Sequence, residues 1–232
     1  MASALSQTEV LRTDFIANVS HELKTPLAVI RSYAEALQNG ALSVEERQEY
    51  AQTVASAAAR LSVLIENILK LNKLENGKIL PEMRSADLSE RLRTCVLQFE
   101  EAMDRKQQEL ECDIDEITAV TDASLLEIVW SNLLSNAVKF TPPGGKIGVS
   151  FKREGEYAVM QVRDTGCGMS AETGAHIFEK FYQGDTSHSQ EGNGLGLALV
   201  KKVIDIIGGQ ISVESEEGKG SIFTVKIKIE SI

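Results

Sequence analysis

The sequence has few cysteines, few prolines and no excess of basic residues, and each shortage excludes a class of protein. Its three cysteines, Cys95, Cys112 and Cys167, lie far apart, without the spacing of a structural metal site or a redox pair. Four prolines and 43% hydrophobic residues exclude a low-complexity or fibrous chain. A net charge of -10 repels nucleic acids and anionic lipid heads. We therefore expect a globular protein with reduced thiols and no nucleic-acid partner.

Long hydrophobic runs are also absent. No stretch approaches the roughly 18 apolar residues of a membrane span. Residues 1–7 lack the basic and apolar regions of a signal peptide. A length of 232 residues is comfortable for two domains. These features predict a two-domain cytoplasmic segment that makes no membrane contact itself.

The first part of the chain has the apolar periodicity of two long helices. Apolar residues recur alternately every three and four positions over residues 16–37 and again over residues 50–71. Between them, Asn39-Gly40 is a helix stop, and Ser43 with Glu46 forms a capping box. The pattern predicts an antiparallel helical hairpin.

Val63, Ile65 and Leu69 widen the apolar stripe of the second helix. Packing against the first helix alone would leave part of this stripe in solvent. Two hairpins paired in a four-helix bundle would cover it, so we predict a homodimer. The alternative is that this stripe packs on the rest of the chain. The pattern breaks near Asn76-Gly77, which predicts domains over residues 1–77 and 78–232.

The second part mixes helical and strand periods. An N-cap at Asp87 predicts a helix, and helices are also predicted over residues 124–140 and 195–207. Strands are predicted within residues 109–122, over 146–152 and 157–163, and in a final hairpin over 209–229 that turns near Gly218. The predicted fold is an α/β sandwich following the helical hairpin.

His21 is the first candidate for chemistry. With Ile16 at heptad position a, it falls at position f, on the exposed face of the helix. Glu22 and Thr25 flank it, and Pro26 should loosen the helix there. A lone histidine of this kind is more often a solvated surface residue. Beside a carboxylate, however, a neutral imidazole is a nucleophile near neutral pH.

The helix predicted over residues 124–140 offers polar groups on one face. Asn132, Asn136 and Lys139 are spaced by four and three residues. Amide oxygens suit Mg²⁺ and a lysine suits phosphate, although a solvated polar face would look the same.

Two glycine-containing segments add to this set. Asp164-Thr-Gly166-Cys-Gly168 ends a strand, where the carboxylate can accept a hydrogen bond from the adenine amine. Gly192-Asn-Gly194-Leu195-Gly196-Leu197 opens a helix whose free N–H groups can bind phosphate. It is neither the Rossmann fingerprint nor a Walker A loop. Each segment alone is weak evidence.

Two resemblances connect these candidates. The string Phe-Ile-Ala-Asn-Val-Ser-His-Glu-Leu-Lys-Thr-Pro-Leu, beginning at Phe15, resembles the phosphoacceptor box of sensor histidine kinases. The later segments, with Phe178-Glu-Lys-Phe-Tyr-Gln183, resemble the N, G1, F and G2 boxes of the Bergerat-type ATP-binding domain of the same family. The resemblance covers nearly the whole chain.

The resemblance implies a role for each residue of the phosphoacceptor box. His21 is the phosphorylated residue, Glu22 its acid–base partner, and Thr25 a residue that positions water for dephosphorylation of the partner protein.

ATP and Mg²⁺ are the implied ligands of the second domain. Asn136 is the implied metal ligand, with Asn132 nearby, and residues 184–191 are the implied lid over ATP. The other implied nucleotide-binding residues are Lys139, Phe140, Asp164, Gly166, Gly168, Lys180, Gly192, Gly194, Leu195, Gly196 and Leu197. The family usually has tyrosine in place of Phe140, so a hydroxyl is absent here but the ring is kept. It commonly has arginine in place of Gln183, where it can steady the γ-phosphate, so phosphoryl transfer here is expected to be slower or to use another group of the lid.

The function implied is ATP-dependent autophosphorylation of His21, transfer to an aspartate of a response-regulator receiver domain, and phosphatase activity toward that regulator. Family members are commonly membrane receptors, which leaves open a membrane anchor outside this segment. Two alternatives remain: a Bergerat-type ATPase that drives conformational change, and a non-catalytic dimeric scaffold.

Overall fold

The computed structural model describes residues 2–38, 42–77, 81–184 and 192–229, with side chains from Phe15 onward. The chain divides into two compact units, Met1–Lys70 and Leu71–Ile232. Among the described residues, no helix is both long and apolar enough to cross a membrane.

The first unit consists of two long helices. Helix α1 spans Ala2–Leu37, and α2 spans Val44–Glu75, so its last turn lies in the second unit. The rings of Tyr33 and Tyr50 join the two helices edge to face, with centroids 5.1 Å apart. The predicted hairpin is therefore present.

The start and end of α2 follow the sequence signals. The Ser43 hydroxyl accepts a hydrogen bond from the Glu46 amide at 3.1 Å, and the Glu46 carboxylate accepts one from the Ser43 amide at 2.8 Å. This reciprocal pair is the predicted capping box. The helix ends just before Gly77, which has a φ of +63°. The predicted helix stop at Asn39-Gly40 lies outside the described residues.

The second unit contains two sheets. In the small sheet, β1 (Arg84–Asp87) pairs antiparallel with β3 (Thr118–Thr121). The large sheet has the strand order β2-β4-β5-β7-β6. Its strands are β2 (Glu109–Ile114), β4 (Lys146–Glu154), β5 (Tyr157–Asp164), β6 (Gln210–Glu216) and β7 (Gly220–Lys228). Only β2 and β4 are parallel among these described pairs.

Helices accompany the two sheets. They are α3 (Leu88–Leu97), α4 (Glu100–Arg105), α5 (Ala123–Phe140), α6 (Ala171–His176) and α7 (Gly196–Ile206). On the large sheet, α5 contacts β5, and α6 and α7 contact β6. On β4, Ile147, Val149 and Phe151 are buried, while the residues between them are more accessible, as expected for a sheet with one covered face. Trp130 of α5 packs edge to face on Phe151, with centroids 6.2 Å apart. The second unit is therefore the predicted α/β sandwich.

The predicted helices and strands of this unit are confirmed, with shifts of one or two residues at several ends. Asp87 is the N-cap of α3 and accepts a hydrogen bond from the Glu90 amide, as predicted. Strand β1 and the short helix α4 were not predicted. The fold class, a helical hairpin followed by an α/β sandwich, is confirmed; the dimeric bundle remains a prediction.

Candidate functional site

His21 lies on α1 with its side chain 79% exposed, as the heptad position predicts. Its Nδ1 atom lies 3.6 Å from Oε1 of Glu22, within ion-pair range but beyond hydrogen-bond length. Glu22 lies near Nδ1, and most of the His21 side chain is accessible to solvent. The geometry is that of an accessible nucleophile with a carboxylate near its other nitrogen.

Helix α1 continues without a break through Pro26. Proline cannot donate to the Glu22 carbonyl one turn earlier. One residue before it, the Thr25 hydroxyl donates a long hydrogen bond of 3.4 Å to the carbonyl of His21. The expected loosening at Pro26 therefore does not interrupt the helix, and a role for Thr25 in positioning water stays a prediction.

In the second unit, α5 presents the predicted polar face. Asn132, Asn136, Lys139 and Phe140 are all half-buried. The ammonium of Lys139 lies 4.3 Å from the centroid of the Phe140 ring, a cation–π distance. Asn132 donates through Nδ2 to the carbonyl of Ile128 at 2.7 Å, so its orientation on the helix is fixed.

Burial lowers the pKa of Lys139, because removing an ammonium from water disfavours its charged form. The nearby Cys167 thiol has a smaller and opposite effect on this pKa. A half-buried cation whose pKa is lowered by burial suits an anionic ligand, which would favour the charged form again.

Asp164 ends β5 and is only 7% exposed. Its Oδ1 accepts a hydrogen bond from the Gly166 amide at 2.8 Å. Burial raises the pKa of Asp164, and hydrogen bonds from the amides of Gly166 and Ser221 act in the opposite direction. A buried acceptor of this kind favours a ligand that donates an N–H group.

The segment after Asp164 needs glycine at Gly168. This residue has a φ of +63°, and a β-carbon on it would collide with the carbonyl oxygen of Glu216. The preceding carbonyl, of Cys167, accepts a hydrogen bond from the Gly218 amide at 2.7 Å. The loop carrying Cys167 is thus held against the turn between β6 and β7.

The glycine segment before α7 lies beside α5. A β-carbon on Gly192 would lie 2.7 Å from Nζ of Lys139, and one on Gly196 would lie 2.7 Å from Oδ1 of Asn132. Leu195 is fully buried, and its amide donates to the Asn193 side chain at 3.1 Å. The first turn of α7, with its free N–H groups, therefore adjoins the polar face of α5.

Gly166 joins the Asp164 loop to the same region. A β-carbon on it would lie 2.7 Å from the carbonyl oxygen of Phe140. The end of α5, which carries Lys139 and Phe140, thus contacts both the Asp164 loop and the Gly192 segment, although the three lie far apart in the sequence. His21, Glu22 and Thr25 belong to the first unit.

Lys180, in the Phe178–Gln183 segment, forms an ion pair with Glu75. Its Nζ atom lies 2.5 Å from Oε1 of Glu75, at the end of α2 and within the second unit. No local sequence pattern predicts this pair. Of the predicted lid over residues 184–191, all but Gly184 lies outside the described residues.

No group of three or more histidine, cysteine or acidic side chains that could hold a metal ion occurs within the described ranges. The donors that α5 offers are instead the amides of Asn132 and Asn136. Amide oxygens fit a hard cation such as Mg²⁺ that takes most of its remaining oxygens from phosphate and water. The residues present therefore fit a metal that arrives with a nucleotide.

Two residues that support α5 were missed in the sequence. The ammonium of Lys106 donates to the carbonyls of Val138 and Lys139 at 2.7 and 2.9 Å, and Gln108 donates to Val138 at 3.0 Å. Both also reach the carbonyl of Thr141. No local motif could identify them, because their partners lie 30 to 35 residues away.

Comparisons with known families match both units. Residues 11–77 match the family described as the His Kinase A (phospho-acceptor) domain. Residues 121–231 match the family described as histidine kinase-, DNA gyrase B-, and HSP90-like ATPase.

Individual relatives match almost the whole chain. The sensor-like histidine kinase SenX3 of Mycobacterium tuberculosis is 34% identical over 97% of this chain, which spans 56% of SenX3. The structure of full-length ShkA in complex with AMPPNP has a TM-score of 0.70 at 27% identity, covering 94% of this chain and 47% of ShkA. ThkA in complex with the response regulator TrrA shares the fold, with a TM-score of 0.78 at 22% identity, over 97% of this chain and 64% of that one.

Proposed function

Since the chain belongs to the sensor histidine kinases of two-component systems, we propose that it transfers the γ-phosphoryl group of ATP to His21 and then to an aspartate of a response regulator. It spans little more than half of the SenX3 sequence, so this proposal concerns the segment and not a whole receptor.

The observation that carries the proposal is the setting of His21. The histidine lies in the segment that matches a phosphoacceptor family, is largely exposed, and has a carboxylate near Nδ1. An ATPase that only drives conformational change would have no use for this arrangement. A non-catalytic scaffold would have no use for a buried Asp164 beside a glycine segment and a half-buried lysine.

The proposed step uses Nε2 of neutral His21 as the nucleophile. A bond forms between Nε2 and the γ-phosphorus, the bond from that phosphorus to the β–γ bridging oxygen breaks, and ADP leaves with the oxygen. The imidazole then carries a positive charge, and its Nδ1 proton faces Glu22, which stabilises or accepts it.

The nucleotide would lie between α5, the Asp164 loop and the glycine segment before α7. Asp164 would accept a hydrogen bond from the adenine amine, and Phe140 would pack on the base. Lys139 and the N-terminus of α7 would bind phosphate oxygens. Asn136, with Asn132 one turn earlier, would supply amide oxygens to a Mg²⁺ ion, which would neutralise phosphate charge when bound. Lys180 would reach phosphate only after leaving Glu75.

The partner would be a receiver domain, the class of protein bound to ThkA in its structure. An oxygen of its aspartate would form a bond to the phosphorus while the bond from phosphorus to Nε2 of His21 breaks, and the imidazole would leave neutral with a proton on Nδ1. Dephosphorylation of the regulator is a further proposal. It rests on Thr25, whose hydroxyl would position the attacking water.

The test is incubation with γ-labelled ATP and Mg²⁺. We expect acid-labile, alkali-stable label on the protein, which is the stability of a phosphoramidate, and loss of all label in His21→Gln. His176→Gln is the matched control, since His176 is also exposed but lies on α6 and contacts Glu179 at 2.7 Å. It should label like the unmodified protein.

Each rival gives a different result. Hydrolysis of ATP without protein labelling would support a conformational ATPase, and neither labelling nor hydrolysis would support a scaffold. Label that persists in His21→Gln would overturn the assignment of His21.

A further inference from the structure

Gln183 connects two segments of the proposed nucleotide site. Its side-chain Nε2 donates a hydrogen bond to the carbonyl of Gly192 at 3.1 Å. Gly192 begins the glycine segment before α7. The residues between them, 185–191, lie outside the described residues, so the contact is defined by its two described ends alone.

A second hydrogen bond runs beside the first. The Phe181 amide donates to the carbonyl of Gly194 at 2.9 Å. From 181 to 183 one segment advances by two residues, while its partner goes back by two, from 194 to 192. This is the relation between paired residues in an antiparallel ladder. In both hydrogen bonds, the donor lies in the Phe178–Gln183 segment and the acceptor in the glycine segment, so the side-chain amide of Gln183 continues a main-chain pairing.

The backbone is tightly constrained at this junction. Phe181 has a φ of +61°, which is rare for a bulky residue. A β-carbon on Gly194 would lie 2.6 Å from the Phe181 Cα atom, so only glycine permits this approach. A conformation of this kind persists only when the surrounding contacts hold it, and the Gln183 hydrogen bond is one of them.

Gly192 also faces the cation of the site. A β-carbon on it would lie 2.7 Å from the Lys139 Nζ atom. Gln183 therefore binds the carbonyl of Gly192, and the α-carbon of the same glycine lies close to the lysine proposed to bind phosphate.

We propose that Gln183 is a positioning residue for nucleotide binding: its amide fixes Gly192 beside Lys139, so that the glycine segment and the lysine converge on the phosphates. This inference rests on the proposed function. It gives the glutamine a structural task in place of the direct phosphate contact that an arginine at this position can make.

The first measurement needs no nucleotide. Gln183→Met keeps the length of the side chain and its neutrality but removes the donor, whereas Gln183→Arg retains a donor. We expect the Phe181 amide to exchange its hydrogen faster in Gln183→Met and at the original rate in Gln183→Arg, since opening this junction exposes that amide. Equal exchange in all three proteins would overturn the proposal.

The second measurement separates positioning from direct contact. Loss of one net hydrogen bond corresponds to about a 3- to 10-fold change in an equilibrium constant. We expect Gln183→Met to weaken binding of ATP and of ADP by that factor, with a smaller change in the maximal rate of His21 labelling. Loss of ATP affinity with unchanged ADP affinity would instead indicate contact with the γ-phosphate and contradict positioning.

The two proposals fail in different ways. If the unmodified protein never labels His21, the proposed function is wrong, while ADP binding and amide exchange still test Gln183. In the second case the unmodified protein labels His21, and Gln183→Met has the same Phe181 amide exchange rate, the same ADP affinity and the same ATP concentration for half-maximal labelling. Only the inference about Gln183 is then wrong.

Discussion

At the scale of single residues, the half-buried Lys139 should give the proposed nucleotide site a dependence on pH. Its pKa is lowered by burial, so it loses its proton at a lower pH than an exposed lysine. Phosphate binding requires the ammonium form. ATP affinity should therefore be maintained below the lowered pKa and fall as the pH rises through it, by up to about tenfold per pH unit for a strict requirement.

The measurement is the dissociation constant of ATP between about pH 7 and pH 10. The comparison variant is Lys139→Arg, whose guanidinium keeps its charge over this range and should flatten the profile. Both are made in a Cys167→Ser background, which removes the neighbouring thiol and its influence on the pKa of Lys139. Parallel profiles for lysine and arginine would show that Lys139 does not determine the pH dependence.

Residue types identified much of the proposed site in advance, because each type has characteristic chemistry. Asp164, Lys139 and the glycines of the segment before α7 were singled out as residues, and the fold places Gly192 beside Lys139 and Gly166 of the Asp164 loop beside Phe140. The sequence marked Gln183 only as a departure from a pattern. Its partner, Gly192, could not be predicted, since the contact depends on the conformation of Phe181.

At the scale of elements, helix α5 carries much of the proposed nucleotide site, and its C-terminal end is held by Lys106. The ammonium donates to three carbonyls near the end of the helix, where the last carbonyls have no partner within the helix and the helix dipole favours a cation. Lys106→Met should lower the free energy of unfolding by about 1–3 kcal/mol, because it leaves carbonyl groups without their charged donor.

Denaturation in urea measures this change. The control is Lys201→Met: Lys201 also lies on the second unit but forms an exposed ion pair with Asp205 on the surface of α7, where removal should change stability by less than about 1 kcal/mol. Lys106→Arg should recover part of the loss by keeping the charge. Similar free energies for Lys106→Met and Lys201→Met would show that Lys106 does not stabilise this end of α5.

The elements with strong local signals were the ones that the sequence predicted. The capping box at Ser43 and the N-cap at Asp87 both form hydrogen bonds where expected. Strand β1 and helix α4 were missed for a physical reason. At four and six residues they are too short to establish a period, and β1 is a strand because it pairs with β3, about thirty residues later.

At the scale of the whole molecule, the hairpin leaves large apolar side chains in solvent. Val63, Ile65 and Leu69 on α2 are 54%, 43% and 55% exposed. A second hairpin would bury them, as the predicted four-helix bundle requires. Leu69→Glu should therefore shift the protein from dimer to monomer, since a carboxylate would have to be buried in the bundle.

Sedimentation velocity or light scattering reports the mass directly. The matched control is Leu97→Glu on α3, because Leu97 is 64% exposed but lies outside the hairpin, and the variant should remain dimeric. If Leu69→Glu stays dimeric, or if the unmodified chain is a monomer, the predicted bundle is wrong.

The sequence by itself determined the two kinds of architecture and the exposure of His21, because helical period, strand alternation and caps are local properties of the chain. Only the tertiary structure decided which distant groups meet. Lys139 lies beside Gly192, Gln183 donates to Gly192, and Lys106 holds the end of α5 because α5, α7 and the large sheet pack in one particular arrangement. Such contacts depend on packing across many residues of intervening chain, for which a single sequence contains no local signal.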